Sequence, residues 1–376
     1  MEIYKLNLRH LRAFAATVHL GSISAASQSV HLTQPAITQA LGKLEALLGV
    51  PLFDRQPNGM TARPAARLLL DRVESALAYI NSVRVTMTQV RALIVLASHG
   101  SYAEASTVTG LSQPALHRAI QDVTVALGKI LVERRGRGVM LTEAGRRAAR
   151  GFRLACAELR AGLSELEVLK GREVGRIAIG AMPLSRARLL PAAVAAYHRD
   201  YPHVDLTIVE GAHAELIEPL RDGEVDLLIG ALRDPAPGND ISQQPLFQDH
   251  PVIIGRKAHP LHMPTIQDLA AYPWIISNAA TPLRGQWEKM FTQAGLSAPH
   301  VAIECGSVIT IRQILIEGDY LTMLSPDQVR VELEAGWLRV ICDAPPNLVR
   351  TIGITTRAGW IPTRLQQAFI STLMTS

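Results

Sequence analysis

This chain is short of several residue patterns, and each shortage excludes something. Its three cysteines, Cys156, Cys305 and Cys342, are scattered without paired spacing. That excludes a disulfide framework and reads as free thiols in a reducing compartment. The 12 histidines are dispersed, and no His/Cys cluster has metal-ligand spacing, so neither a metal nor a cofactor is expected. There is no GxSxG, no P-loop and no HExxH, and enzymatic activity is not expected. No apolar run approaches the roughly 18 residues of a membrane span. Met1-Glu2-Ile3-Tyr4-Lys5 does not open a signal peptide, so no membrane partner and a cytoplasmic location are expected.

What is present is a chain of 376 residues, 48% hydrophobic and 19% charged with 5% aromatics, which fits two or three globular domains with ample core. Its charge is unevenly divided. Residues 1–172 carry 22 Lys/Arg against 12 Asp/Glu, and the remainder carries 16 against 21. A basic first half joined to an acidic second half points to a polyanion met by the first half alone.

The stretch Thr33-Gln34-Pro35-Ala36-Ile37-Thr38-Gln39-Ala40-Leu41-Gly42-Lys43-Leu44-Glu45 reads as the recognition helix of a helix-turn-helix. Thr33 is an N-cap candidate and Pro35 sits in the first turn, where its missing N–H costs nothing. Ile37, Leu41, Leu44 and Leu48 repeat at helical spacing as a buried face, leaving Thr38, Gln39, Gly42 and Lys43 on the other. Such a face suits hydrogen bonds to base edges in a major groove. The pattern then recurs. Gln113 lies 79 residues after Gln34, and a gap-free alignment of 12–55 with 91–134 holds 15 identities in 44 positions, an internal duplication. Ser112, Gln113, His117 and Arg118 are the second set of DNA-binding candidates.

In chain order, helices are expected over 8–19, 24–30 and 34–48, followed by a hairpin wing at 56–61 with Arg55 as a phosphate contact. A long helix from Ala65 to about Met87 carries an apolar stripe of Leu69, Val73, Leu77, Ile80 and Val83, expected to serve as core or dimer seam. The second wing contains Arg134, Arg135 and Arg137, is more basic, and by its Thr142 is two residues longer than the first. With Arg146, Arg147, Arg150 and Arg153 it favours phosphate contact. A second long helix runs from Glu143 to about Leu169. From Gly175 short apolar strands alternate with helices, implying a parallel sheet of βαβ units. Strands are expected at 176–180, 205–210, 226–230, 252–256, 274–277, 301–305, 321–325 and 351–355, and helices at 188–200, 213–222, 282–294, 308–317 and 326–335. Ligands bind such sheets at strand carboxyl ends near helix N-termini, which singles out Met182-Pro183-Leu184-Ser185-Arg186 and Thr281-Pro282-Leu283-Arg284.

Taken together, the chain resembles the LysR-type bacterial transcriptional regulators. The resemblance runs through Gly21-Ser22, Gln34-Pro35-Ala36, Leu44-Glu45, Leu48-Gly49, Leu52-Phe53 and Arg55, then Leu141-Thr142-Glu143-Ala144-Gly145. It continues in Gly175-Arg176-Ile177-Ala178-Ile179-Gly180, Tyr201-Pro202, Gly223-Glu224-Val225-Asp226-Leu227 and His259-Pro260-Leu261. The second half is most similar to the branch regulating sugar uptake or aromatic-acid catabolism. The resemblance implies a multidomain protein: two tandem, mostly α winged helix-turn-helix units, then an α/β periplasmic-binding-protein-like effector domain of two Rossmann-like subdomains. Its boundaries would be 1–65 and 66–88 for the first unit and its linker helix, 89–142 and 143–172 for the second pair, and 173–376 for the effector domain.

The resemblance further implies promoter DNA as partner and linker helices that pair protomers into a homodimer or homotetramer. It also implies a contact with RNA polymerase and a small-molecule effector in the C-terminal cleft. Thr33, Gln34, Pro35 and Thr38 would begin the reading helix. Pro183, Leu184 and Ser185 would line the cleft opposite Thr281 and Ser307, with Arg186 suited to a carboxylate and crossing strands near 231 and 250–256. The chain departs from the family in carrying two helix-turn-helix copies, in a shortened first wing, and in Pro64 where Gly is expected. Copy one has Gln39 where copy two has Arg118, and keeps Leu44-Glu45 where copy two has Val123-Thr124. Copy one is therefore expected to read bases, with copy two a weaker binder or scaffold. The alternatives are an effector-blind regulator whose second half only oligomerises, and a small-molecule-binding protein or enzyme using the α/β domain.

Overall fold

The structure, a computed structural model, describes residues 3–56, 59–136, 138–279 and 281–375. The N-terminal portion opens with α1 (Leu8–Leu20), α2 (Ile23–Ser29) and α3 (Gln34–Leu48), a hairpin of β1 (Phe53–Gln56) and β2 (Gly59–Ala62), and α4 (Pro64–Ile80). The same order follows in α5 (Met87–His99), α6 (Tyr102–Thr109), α7 (Gln113–Leu127), β3 (Val132–Arg135), β4 (Gly138–Leu141) and α8 (Glu143–Leu169). Local signals set these bounds. Asn7, Ser22, Thr33, Thr86, Ser101, Ser112 and Thr142 each cap a helix with a side-chain oxygen. Gly21, Gly49, Gly100 and Gly128 end helices in the left-handed conformation.

Two expectations need correcting. The first long helix stops at Ile80, seven residues short of Met87, because Asn81 takes a left-handed C-cap and its N–H closes on the Leu77 carbonyl. The wings are equal in length. Phe53 pairs with Ala62 and Val132 with Leu141, so the 79-residue offset holds throughout both hairpins. The counterpart of Thr142 is Arg63 and not Thr61: Arg63 N–H donates to Leu52 O at 2.9 Å and Thr142 N–H to Leu131 O at 3.0 Å. Pro64 therefore occupies the first turn of α4, where it is well tolerated, and Ala66 stands where copy two has Gly145. In both copies the wing is clipped to the end of the first helix, Met60 N–H to Gly21 O at 2.8 Å and Val139 N–H to Gly100 O at 3.2 Å.

The apolar stripe of α4 meets α8 of the same chain. Leu69, Val73, Ala76 and Ile80 are buried with Ala149, Phe152, Ala155, Leu159 and Leu163 in one core. At about 1.5–3 kcal/mol for each large side chain removed from water, this seam is a main stabilising contact of the helical portion. Close approach is allowed by small residues, since a Cβ on Gly162 would stand 2.9 Å from Leu69 Cδ1. Arg72 and Glu158 pair across the seam at 2.9 Å, both largely buried. The stripe of α4 is thus covered by α8 of the same chain.

The chain divides into two compact units, residues 1–175 with 221–224 and residues 176–220 with 225–376. The second unit has a mixed five-stranded sheet, ordered β6-β5-β7-β14-β8, and a three-stranded sheet ordered β12-β9-β13. Its elements are β5 (Gly175–Ala181), α9 (Leu189–Asp200), β6 (Val204–Glu210), α10 (His213–Arg221), β7 (Leu227–Ala231), β8 (Ile241–Asp249), β9 (Val252–Arg256) and α11 (Ile266–Ala270). They continue as β10 (Ile275–Ile276), α12 (Pro282–Gln293), β11 (Ile303–Glu304), α13 (Val308–Glu317), β12 (Thr322–Leu324), α14 (Arg330–Glu334), β13 (Leu338–Asp343), β14 (Arg350–Arg357) and α15 (Arg364–Thr375).

The five-stranded sheet is mixed and the three-stranded one antiparallel, where a parallel sheet of βαβ units was expected. β5 and β7 are parallel, but β14 runs antiparallel to both β7 and β8, and β9 is antiparallel to both its neighbours. The chain leaves the first sheet after β8 and returns before β14. The expected crossing at 231 is not one, because β7 is followed by β8 in the same sheet. Asp226 ties β5 to β7 by accepting the Ala178 N–H at 2.7 Å. Trp274, Trp287 and Phe291 form an edge-to-face cluster in the second core, with centroids 5.3–5.9 Å apart.

Candidate functional site

On α3 the buried face is Ile37, Ala40, Leu41, Leu44 and Leu48. Thr33, Gln34, Pro35, Gln39 and Lys43 are exposed and Thr38 is half-buried. The cap holds as expected, Thr33 Oγ1 accepting the Ala36 N–H at 3.4 Å. Gln34 Nε2 donates to Ser24 Oγ at 3.3 Å, which ties the start of α3 to α2. Copy two has Ala103 at that place, so the same tether cannot form for Gln113.

Three supporting groups had little signal in the sequence. Glu45 Oε1 accepts both the Leu52 and Phe53 N–H groups, at 2.7 and 3.2 Å, fixing the start of the wing to α3. His10 has a pKa held below the ordinary value by burial first and then by the charge of Lys43, so the imidazole is neutral beside that lysine. Asp54 pairs with Arg63 at 2.6 Å, leaving Arg55 as the exposed cation of β1.

On α7, Leu116, Ala119, Ile120 and Val123 are buried, while Ser112, Gln113, His117 and Arg118 are exposed. The His117 ring lies 5.4 Å from that of Tyr102. With Ser106, Ser112, Gln113 and Pro114 they line an open depression of about 660 Å³ at the start of the helix. Arg134 is exposed on β3, beside the backbone of Arg135; Arg137 lies outside the described residues. The arginines that follow are largely answered within the chain. Arg146 and Arg147 pair with Glu143 at 3.0 and 3.1 Å, and Arg150 and Arg153 with Asp222 at 2.7 and 2.9 Å.

In the second unit Pro183 is half-buried and Leu184 buried, directly after β5. Ser185 is fully buried and donates its hydroxyl to Met182 O at 2.9 Å, so it shapes the turn. Arg186 pairs with Glu210 at 2.5 Å. Thr281 and Ser307 sit at the ends of the parallel neighbours β10 and β11 and cap α12 and α13. Thr281 Oγ1 accepts the Arg284 N–H at 3.3 Å and lies 2.7 Å from Ser277 Oγ, and Ser307 Oγ accepts the Thr310 N–H at 3.4 Å. Two helix N-termini at adjacent strand ends favour an anion. Ser277 was not singled out by sequence, since a lone serine after a strand carries no pattern.

Burial pushes the Cys156 and Cys342 thiols up to about 11, so neither is a thiolate near neutrality. Among the described residues no group of His, Cys, Asp and Glu could hold a metal, and no helix is long and apolar enough to cross a membrane.

Comparison with known proteins follows this geometry. A model of the bacterial regulatory helix-turn-helix protein, lysR family, matches residues 8–67 and again 87–146, and a LysR substrate binding domain matches 170–376. The HTH-type transcriptional regulator GalR of Pseudomonas putida is 32% identical over 369 residues, covering 94% of this chain and 93% of that protein. A match of that length runs through both repeats. An SDS degradation transcriptional activation protein from a Pseudomonas species is 32% identical, over 73% of this chain and 90% of its own. Among solved structures, a full-length OxyR variant from Pseudomonas aeruginosa aligns with a TM-score of 0.56 at 22% identity, over 77% of this chain and 93% of that one. CbnR, a LysR family transcriptional regulator, aligns at 0.54 and 18%, over 76% and 96%. These two show the fold.

Proposed function

The chain belongs to the LysR family of DNA-binding transcriptional regulators with an effector-binding domain, and from that premise we propose how its own residues divide the work. The N-terminal portion is a duplicated winged helix-turn-helix, copy one over 1–65 and copy two over 89–142, with linker helices after each. It binds promoter DNA in the cytoplasm. The observation that carries this is the presentation of α3: an N-capped helix with Gln34, Thr38, Gln39 and Lys43 directed away from a fully apolar inner face. Gln34, Thr38 and Gln39 offer hydrogen bonds to base edges, and Lys43 and Arg55 offer charge to phosphates.

Residues 173–376 form a periplasmic-binding-protein-like domain of two Rossmann-like subdomains that senses a small molecule. Pro183, Leu184 and Arg186 on one side and Thr281 and Ser307 on the other form the effector set, Ser185 supporting the first from behind. The paired helix N-termini at Thr281 and Ser307 favour an effector with an anionic group: a carboxylate, an aromatic acid or an acidic sugar derivative. The protein acts as a homo-oligomer with RNA polymerase as a further contact, and catalyses no reaction. Redox sensing through Cys156 or Cys342 is disfavoured by their burial and raised thiol pKa values.

Binding of the full chain to its own upstream DNA, followed by fluorescence anisotropy against salt and competitor DNA, tests the first part. Affinity should fall steeply with salt, and Gln34→Ala with Thr38→Ala should weaken preference over competitor. Undiminished preference in that variant would remove α3 as the reader. Thermal-shift screening with carboxylates tests the second part, since a ligand of the native state must raise the melting temperature. An unmoved melting temperature across the panel favours the effector-blind reading.

A further inference from the structure

The two copies touch each other reciprocally. Tyr4 precedes the helices of copy one and lies against copy two, where the Arg91 guanidinium stands over its ring at 5.3 Å. Val83, the residue 79 further on, precedes the helices of copy two and lies against copy one. There Arg12, the counterpart of Arg91, donates to the Val83 and Ser82 carbonyls at 3.3 and 2.5 Å. The α4/α8 seam repeats this exchange. Arg72 meets Glu158 at 2.9 Å. Their counterparts are Gly151 and Tyr79, and these also meet, with the copies interchanged: a Cβ on Gly151 would stand 2.8 Å from Tyr79 O. When a contact from i to j recurs between the counterparts of j and i, the two bodies are related by a two-fold rotation; a translation or another rotation does not close in this way. The antiparallel register set by these pairs puts the axis at the level of Ala76 and Ala155, counterparts of one another and both buried.

Resting on the DNA-binding reading above, we infer that a single chain is a complete reader of a two-half-site DNA operator, α3 taking one half-site and α7 the other across this pseudo-two-fold axis. Recognition of two half-sites requires two reading helices related by a two-fold, and here both belong to one polypeptide. The two faces are not the same. Where copy one presents Thr38, Gln39 and Lys43, copy two presents His117, Arg118 and Asp122. An amide such as that of Gln39 matches adenine, and a guanidinium such as that of Arg118 matches the O6 and N7 of guanine. The half-sites therefore differ in sequence, and the chain lies on the duplex in one direction only. Copy two reads bases, which goes beyond the weaker binding or scaffold role expected from its sequence.

The test attaches an iron chelate to the full chain at Ala46→Cys on α3 or at its counterpart Val125→Cys on α7, both exposed positions outside the proposed contacts. The wild-type chain treated with the same reagent supplies the background from Cys156, Cys305 and Cys342. Each label should cut one half-site only, and the two labels opposite ones. Cutting of both half-sites by each label would overturn the inference, because copy one would then sit on each half in separate chains. So would cutting by the α3 label alone. A second measurement mixes chains carrying Gln34→Ala and Thr38→Ala with chains carrying Gln113→Ala and Arg118→Ala. Full protection should not return, and its return would mean that the pairing occurs between chains. A wild-type chain that protects no DNA at all would instead refute the DNA-binding reading on which this rests.

Discussion

Gly151 of α8 lies so close beneath the Tyr79 carbonyl of α4 that a Cβ would stand 2.8 Å from that oxygen. The glycine is required by proximity, since its backbone is ordinary helix. Gly151→Leu should force α4 and α8 apart, at a cost of about 1–3 kcal/mol for overpacking. The melting temperature of the full chain should fall, and DNA preference should weaken at both half-sites together. An unchanged melting temperature would mean that the seam is not packed as described.

Arg72 and Glu158 occupy the opposite position on the same seam, with side chains only 9% and 16% exposed. Removing one partner leaves a largely buried charge without its counter-charge. Arg72→Met alone should therefore cost about 3 kcal/mol, while Arg72→Met with Glu158→Met should recover much of that loss. Urea denaturation of the four chains of this cycle measures the coupling. Additive losses would show the two groups to be independent.

His31 holds the turn between α2 and α3 at φ 53°, and its counterpart in copy two is Gly110 at φ 73°. A left-handed non-glycine residue costs on the order of 1 kcal/mol. His31→Gly should raise stability by up to that amount without altering DNA preference, and Gly110→His should lower it similarly. A thermal melt of each variant decides the sign.

Much of this fold was legible because its signals are local. The caps at Thr33 and Thr142 and the stop glycine at Gly49 set α3 and the start of α8 where the chain pattern put them. Signals that rest on non-local pairing are not legible in the same way. Matching Thr61 to Thr142 by residue type made the first wing look short, whereas strand register equates Thr142 with Arg63. The end of α4 at Ile80 depends on Asn81, a weaker stop than glycine. Strand β8, Ile-Ser-Gln-Gln-Pro-Leu-Phe-Gln-Asp, has neither clean alternation nor an apolar run. It is an edge strand with Pro245 opposite Gly353, where the register shifts. No local feature records that β14 returns antiparallel. The exposed faces of α3 and α7 were legible; the reciprocal contacts between the two repeats were not, because Tyr4 and Val83 share no residue type.

Two histidines give the stability a defined pH dependence. Burial first, and then Lys43, holds the pKa of His10 below its ordinary 6.5. Burial likewise lowers that of His259, whose Nδ1 accepts the Leu261 N–H at 3.3 Å. The unfolded chain thus binds protons that the fold does not, so their contribution is whole above about pH 6.5 and is lost as pH falls through the lowered values. The urea midpoint should drop between pH 7.5 and 5.5, and His259→Gln should flatten part of that drop. Equal midpoints at the two pH values would contradict the assignment.

The central claim is that one chain reads DNA through two non-identical helices, and a footprint of the full chain on its own upstream region tests it most directly. The wild type should protect a site with two unlike halves. Gln34→Ala with Thr38→Ala should expose one half, and Gln113→Ala with Arg118→Ala the other. Loss of the same half in both variants, or of neither, would contradict the account.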